Sequence, residues 1–179
     1  MTQTGPEKYS VPVTDGETLH IWGIPHRITF LPDKKPSFTI RDGRILLAMP
    51  VNSDDSVRER FVKKELRKRL ELQIAKRLPP REREMGLYSK SHTVRDMKSR
   101  WGTCNTGTAR ITFSLELIRF DPVCLDYIIV HELAHLRHAN HSRAFWNLVG
   151  RYRPDWKSIR RMMDHNEDEE DLTKTDAGD

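Results

Sequence analysis

The segment HELAHLRHANH at residues 131–141 constrains this chain more than any other part of its sequence. His131 and His135 are four residues apart, so on an α-helix their imidazoles project from one face, one turn apart. Two such imidazoles can bind one Zn²⁺, which accepts His nitrogens at roughly 2.0–2.1 Å and prefers four tetrahedral ligands. Glu132 lies beside the pair and can accept a proton from a water at that site. The spacing therefore predicts a zinc site on a helix, with Glu132 as general base.

A third protein ligand is required, and two histidines compete for that position. His141 follows His135 by six residues and can return to the ion if the helix ends and the chain turns. Asn140 tolerates the left-handed conformation that ends helices, and the serine after His141 can cap a new helix. His138 lies nearly on the face of His131, but seven residues of rigid helix separate their Cα atoms by roughly 10 Å. We therefore predict His141 as the third ligand. The alternative is a helix whose partly buried histidines bind no metal.

The residues upstream predict where the metal-binding helix begins and which side it buries. Asp121 can accept the free backbone N–H groups as N-cap, and Pro122 suits the first helical position. An apolar stripe with helical steps of three and four follows, formed by Leu125, Ile128, Ile129, Leu133 and Leu136. This stripe is expected to bury the helix against a core and to leave the histidines lining a cleft.

The first half of the chain predicts strands followed by a long helix. Residues 16–50 have strand character, and Asp42-Gly43 is a strong hairpin signal. A basic helix is expected over residues 54–78, ended by Pro79-Pro80. Its core positions step by four: Val62, Leu66, Leu70, Ile74 and Leu78.

The second half alternates shorter elements around the histidines. Residues 88–114 return to strand character, and the strand over 109–113 is expected to edge the cleft and pair with an extended peptide. Two helices are predicted over 142–152 and 154–164. The whole pattern predicts an α+β fold, with a small twisted sheet packed on helices and the HExxH segment on the active-site helix.

Length and composition bound the domain count and the compartment. The 179 residues fit one domain, assigned to residues 16–163, between a disordered N-terminus at 1–15 and an acidic disordered tail at 164–179. No apolar run of about 18 residues predicts a membrane helix, and the N-terminus lacks the pattern of a secretory signal. The two cysteines have no pairing spacing, which favours a reducing cytoplasm.

Charge is distributed unevenly along the chain. Residues 164–179 hold eight acids and one lysine, a formal charge of −7. Because the whole chain has a net charge of +5, the preceding 163 residues carry +12. A basic body with an acidic tail is compatible with a polyanionic partner such as nucleic acid, or with a tail that folds back on the body. A solvated surface with a solubilising tail is the simpler interpretation.

Two motifs give the chain a resemblance to a known family. KSRWGTC at 98–104 and HELAHLRHANHSRAFW at 131–146 occur in the order seen in the YgjP-like and SprT-like zinc metallopeptidases. The resemblance covers roughly residues 15–160. It implies a zincin-like α+β fold and a single zinc held by three histidines.

Carried over by position, the resemblance implies the same ligands and base as the spacing: the three histidines and Glu132. It also implies supporting roles near the active site for Arg100 and Trp101. Thr103 stands where the family usually has serine. The zinc ribbon of some SprT-like relatives is absent, which weakens any inference of their DNA-dependent proteolysis.

These observations together predict a zinc metalloendopeptidase that hydrolyses peptide bonds with a zinc-activated water. Arg100, Tyr127 and Arg143 are the candidate partners of the tetrahedral oxyanion. Two other classes stay open: a nucleic-acid-associated module with a structural zinc and no proteolysis, and a zinc hydrolase of a non-peptide bond. Glu132 argues against the first, because a structural zinc needs no base and usually has four protein ligands.

Overall fold

A computed structural model gives the fold of residues 11–97 and 99–164. The first sheet has four strands in the order β1-β2-β4-β3, with β2 and β4 parallel and the two outer pairs antiparallel. Its strands are β1 (Thr18–Ile21), β2 (Ile24–Pro32), β3 (Ser37–Arg41) and β4 (Arg44–Met49). Asp42 and Gly43, both with positive φ, form the predicted turn between β3 and β4.

The second sheet has three strands and lies next to the helix that carries the histidines. Its order is β5-β7-β6, with β5 parallel and β6 antiparallel to β7. The strands are β5 (Ser91–Arg95), β6 (Gly102–Asn105) and β7 (Arg110–Ser114). A 3₁₀ helix (Leu115–Arg119) then leads into α2 (Pro122–His135), followed by α3 (Arg143–Tyr152) and by helical residues 156–164.

The first helix, α1 (Asp55–Met85), is longer than the sequence predicts. Asp54 caps it by accepting the Val57 N–H at 2.9 Å, and the five predicted core residues are buried. The expectation that Pro79-Pro80 ends the helix is wrong, because α1 continues to a left-handed cap at Gly86. Two missing N–H donors are tolerated there because Met85 is buried and Arg81 bonds Asp126 of α2 at 3.1 and 2.6 Å.

The core lies between the two sheets and the helices, which confirms the α+β prediction, although the strands divide into two sheets rather than one. Helix α1 presents a single apolar stripe to this core, whereas α2 is buried throughout from Cys124 to Ala134. Asp121 accepts the Val123 N–H at 2.8 Å and Pro122 begins the helix, as expected. Helix α2 is therefore held by the core on several sides, whether or not its histidines bind a metal.

Two other expectations need correction. Strand β7 lies between β5 and β6, so both of its edges are paired and it cannot accept a substrate strand. Val11 and Val13, within the segment predicted to be disordered, are buried in the core, so the folded part begins before residue 16. The remainder of that segment, residues 1–10, and all but the first residue of the predicted acidic tail lie outside the described residues.

Candidate metal centre

The chain reverses after α2 so that a third histidine returns to the first two. Helix α2 ends at His135, and the N–H groups of the next turn bond back to the Ala134 carbonyl. Ser142 then caps α3 by accepting the Phe145 N–H at 3.3 Å. His141 lies between these two helix ends, where the sequence predicts the turn. Capping at both ends fixes the short connection that carries it.

The imidazoles of His131, His135 and His141 converge. Their candidate ligand atoms all lie within 4.8 Å of one another. The Nε2 atoms of His131 and His141 are 3.1 Å apart. Two nitrogens bound tetrahedrally to one zinc would be separated by about 3.3 Å, given zinc–nitrogen bonds of roughly 2.0–2.1 Å. The three donors therefore fit a single transition-metal ion of the kind that imidazoles prefer.

The rival histidine has a different role. His135 donates its Nδ1–H to the backbone carbonyl of His138 at 3.2 Å. Since a carbonyl can only accept, this bond places the proton on Nδ1 and leaves Nε2 of His135 free for a metal. The side chain of His138 is not part of the converging set.

Burial keeps the three imidazoles neutral. It lowers the pKa of His131 well below its ordinary value, and the neighbouring His135 and His141 lower it further. Burial is also the main cause of the lowered pKa of His135 and His141. Neutral imidazole is the form that binds metals, so the surroundings favour ligation over protonation.

Aromatic side chains from α3 pack against all three imidazoles. The Phe145 ring is fully buried, with its centroid 4.9, 4.6 and 4.8 Å from those of His131, His135 and His141. The more exposed His141 stacks on Trp146 at 5.5 Å, and Trp146 stacks on Trp156 at 4.2 Å. This packing restricts the rings to few orientations. The sequence pattern predicts a helix over 142–152 but no role at the metal centre for its aromatic residues. The spacing of four residues between His141 and Phe145 is the signal that could have indicated one.

Glu132 is buried against β6 and has little to neutralise it. Its side chain is 1% exposed, and its Oε2 has no hydrogen-bond partner among the described residues. Burial raises the pKa of Glu132 to about 8, although the positive charge of Arg100 opposes that shift. A carboxyl group with a pKa near neutrality and an unused oxygen can accept and return a proton.

The histidines and Glu132 line one cleft of about 360 Å³. Strand β6 and the residues around it form the opposite wall. The lining consists of Arg100, Gly102, Thr103, Cys104, Thr106, His131, Glu132, His135, Ala139 and His141. Burial and the charge of Glu132 raise the pKa of Cys104 to about 11, so this thiol stays protonated near neutral pH and does not act as a thiolate.

The other candidate residues are distributed unevenly around the cleft. Arg100 is exposed and lines it. Trp101 is buried edge-on against Phe120 at 4.9 Å and supports β6 from behind. Tyr127 is buried behind His131, with ring centroids 5.9 Å apart, and does not line the cleft. Arg143 is exposed at the start of α3 and does not line it either.

The predicted nucleic-acid partner finds no support in the described residues. Several cations of α1 form ion pairs with acids: Lys63 with Glu59 and Asp96, and both Lys68 and Arg69 with Glu65. Interleaved charges of this kind are typical of a solvated helix face. No helix in the described part of the chain is long and apolar enough to cross a membrane.

Comparisons with known proteins found a family model and solved structures that are similar to this chain. Residues 3–166 match the family model described as YgjP-like, metallopeptidase domain. The metallopeptidase zymogen of Pyrococcus abyssi abylysin is similar over 51% of this chain and 93% of its own, with 24% identity and a TM-score of 0.47. The zymogen of Methanocaldococcus jannaschii jannalysin is similar over 52% and 95%, with 21% identity and a TM-score of 0.47. No curated protein matches the chain.

Proposed function

Because the chain belongs to the YgjP-like metallopeptidase family, we propose that it is a zinc-dependent endopeptidase. His131, His135 and His141 are the proposed metal ligands, and Glu132 is the proposed general base. The observation that carries the proposal is the convergence of three histidine nitrogens within 4.8 Å, in a cleft that Glu132 also lines. Three protein ligands leave one tetrahedral position for chemistry, as catalytic zinc sites require.

Zinc in this centre would supply Lewis-acid activation of a water and of the scissile carbonyl. Glu132 accepts the proton of the attacking water and transfers it to the leaving amine. Its unpaired Oε2 and its raised pKa suit both steps, since the group must take up a proton and release it near neutral pH. The lowered pKa values of His131 and His135 favour the neutral imidazole, which is the form that binds metals.

The substrate is proposed to bind along β6 as an added strand. Ser114 N–H donates to the Trp101 carbonyl at 2.9 Å, so these two residues form a hydrogen-bonded pair of the antiparallel ladder. The alternation of that ladder turns the N–H and C=O groups of Gly102 and Cys104, which both line the cleft, away from β7. An extended peptide can use those groups without having a terminus in the site, which favours endopeptidase activity.

Arg100 is the proposed partner of the oxyanion, because Tyr127 and Arg143 do not line the cleft. A guanidinium can donate to an oxygen as negative charge develops on it. Replacing Arg100 by alanine should lower kcat by about 10²-fold, whereas Arg143→Ala should leave it within about twofold. Equal effects of both variants would remove Arg100 from this role.

The test of the function combines metal analysis with peptide cleavage. Glu132→Gln should retain zinc but lose at least about 10³-fold in turnover of an internally quenched peptide with both termini blocked. His131→Ala should lose zinc and activity together, whereas His138→Ala, a matched control in the same segment, should retain both. Cleavage by Glu132→Gln at the wild-type rate would contradict the mechanism, and cleavage only of peptides with a free terminus would contradict the endopeptidase assignment.

A further inference from the structure

Gly102 directly faces the Glu132 carboxyl group. A Cβ atom built on Gly102 would lie 2.6 Å from Oε1 and 2.9 Å from both Cδ and Cγ of Glu132. Contacts below 3.0 Å are essentially never seen for real Cβ atoms. Even alanine at this position would therefore overlap three atoms of the side chain proposed to act as the base.

The glycine is required for space and not for backbone conformation. Gly102 is a strand residue and is absent from the positive-φ positions of the described chain. Gly43 and Gly86 show the opposite case, since both have positive φ and nothing within 4 Å of an added Cβ. An L-residue could adopt the backbone of Gly102, and the three atoms nearest to an added Cβ all belong to Glu132.

The backbone on each side of this contact is held in place. Strand β6 pairs with β7 along its length, and the buried Trp101 before it accepts the Ser114 N–H. On the other side, α2 is buried from Cys124 to Ala134, and the adjacent His131 packs on Phe145. An added methyl group would therefore be accommodated mainly by rotation of the Glu132 side chain, which moves its carboxyl oxygens.

We propose that Gly102 is a positioning residue, whose missing side chain sets where the Glu132 carboxyl lies in the cleft. The inference rests on the proposed function only because that function assigns Glu132 as the base. The close contact between position 102 and Glu132 does not depend on that assignment. It also gives a physical reason for the glycine in the KSRWGTC motif, because glycine is the one residue type that lets the strand and the carboxyl group approach this closely.

The activity test compares the same substitution at two glycines. Gly107 lies in the turn after β6, has no positive φ, and an added Cβ would meet Asn105 Oδ1 at 3.5 Å, an ordinary contact. Gly102→Ala should lower kcat by about 10²-fold with little change in KM and full zinc content, because a misplaced base slows chemistry without weakening binding. Gly107→Ala should stay within about twofold. Wild-type kcat in Gly102→Ala would overturn the proposal.

A stability cycle tests the contact without any catalysis. In zinc-free protein, Gly102→Ala should lower the unfolding midpoint by at least about 4 °C, and it should lower it by less than about 1 °C in a Glu132→Ala background. An equal loss in both backgrounds would overturn the proposal, even if Gly102→Ala were too unstable to assay. If Glu132→Gln proved active, the proposed base would fail while this cycle still decided the role of Gly102.

Discussion

Helices α1 and α2 place their charged side chains in opposite surroundings. On α1 many charges are at least partly exposed and pair with neighbours three or four residues away, as Glu65 does with Lys68 and Arg69. On α2 every residue from Cys124 to Ala134 is buried, including Asp126, His131 and Glu132. Surface charges cost little and can be exchanged freely, whereas each buried charge on α2 needs either a partner or a use.

The two carboxylates of α2 show both outcomes. Asp126 is 6% exposed and is neutralised by Arg81 of α1, at 3.1 and 2.6 Å, and by Arg153 after α3, at 2.9 Å. Glu132 is 1% exposed, and its Oε2 has no hydrogen-bond partner among the described residues. Asp126 thus holds three helical segments together, whereas Glu132 lines the cleft.

The largest effect on stability is expected at Asp126. Asp126→Asn keeps the shape of the side chain but leaves two arginines without their buried counter-charge, which should destabilise the protein by about 3–5 kcal/mol. Asp155→Asn is the matched control, because Asp155 also pairs with Arg153, at 3.0 Å, but with a side chain 52% exposed. That variant should cost less than about 1 kcal/mol. Urea unfolding of both variants measures the difference. Similar losses of unfolding free energy would mean that burial does not determine how much an ion pair contributes to stability.

At a buried carboxyl group whose ion pair does not offset its burial, the stability change should have the opposite sign and depend on pH. Glu116, in the 3₁₀ helix before α2, pairs with Arg119 at 3.3 Å, yet burial raises its pKa from 4.5 to about 7. The folded state then binds a proton more tightly than the unfolded state, so this group lowers stability as pH rises from about 4.5 to 7. Glu116→Gln should therefore be nearly neutral below about pH 4.5 and stabilising by about 2–3 kcal/mol above pH 7.

The measurement for Glu116 is the difference in unfolding free energy between variant and wild type across that pH range. Other titrating groups contribute equally to both proteins and cancel in the difference. A gain that is independent of pH would mean that the Glu116 carboxyl is not the group responsible.

At Glu132 the sign of the stability change should be the reverse of that at Asp126. Because burial raises the pKa of Glu132 to about 8, folding at neutral pH includes the free-energy cost of protonating this carboxyl group; Glu132→Gln removes that cost and should stabilise zinc-free protein by about 2–3 kcal/mol at pH 7. Chemical unfolding in the presence of a chelator measures this. If Glu132→Gln gains stability and loses turnover, the wild-type residue at this position lowers stability and is kept for catalysis. A loss comparable to that of Asp126→Asn would break the contrast between the two carboxylates.

Local sequence signals were sufficient for most elements of the fold and for the histidines. The Asp121-Pro122 start of α2, the Asp42-Gly43 turn and the spacing of the three histidines each depend on residues close in sequence. The continuation of α1 past Pro79-Pro80 was not predictable, because Arg81 is anchored by a residue 45 positions away.

Two features of the cleft also depend on distant pairing. The choice of β6 over β7 as the strand that edges the cleft follows from which strand takes the centre of the sheet, and sequence pattern does not determine that order. The contact between Gly102 and Glu132 joins a strand and a helix, and a lone glycine at the start of a strand does not indicate which side chain it faces. Long-range packing therefore decides the fine geometry of the site, while local patterns identify the three histidines that converge there.

The smallest effect is expected at a charge on α1. Lys68 pairs with Glu65 at 2.6 Å, but its side chain is 56% exposed, and Glu65 keeps Arg69 at 3.3 Å when the lysine is removed. Lys68→Ala should change stability by less than about 0.5 kcal/mol, because the lost pair is screened by water and alanine favours the helix. Urea unfolding at low and high salt would measure it, and the small difference should vanish as salt screens the pair. A loss above about 1.5 kcal/mol that persisted at high salt would mean that α1 also depends on specific charges, and the contrast with α2 would fail.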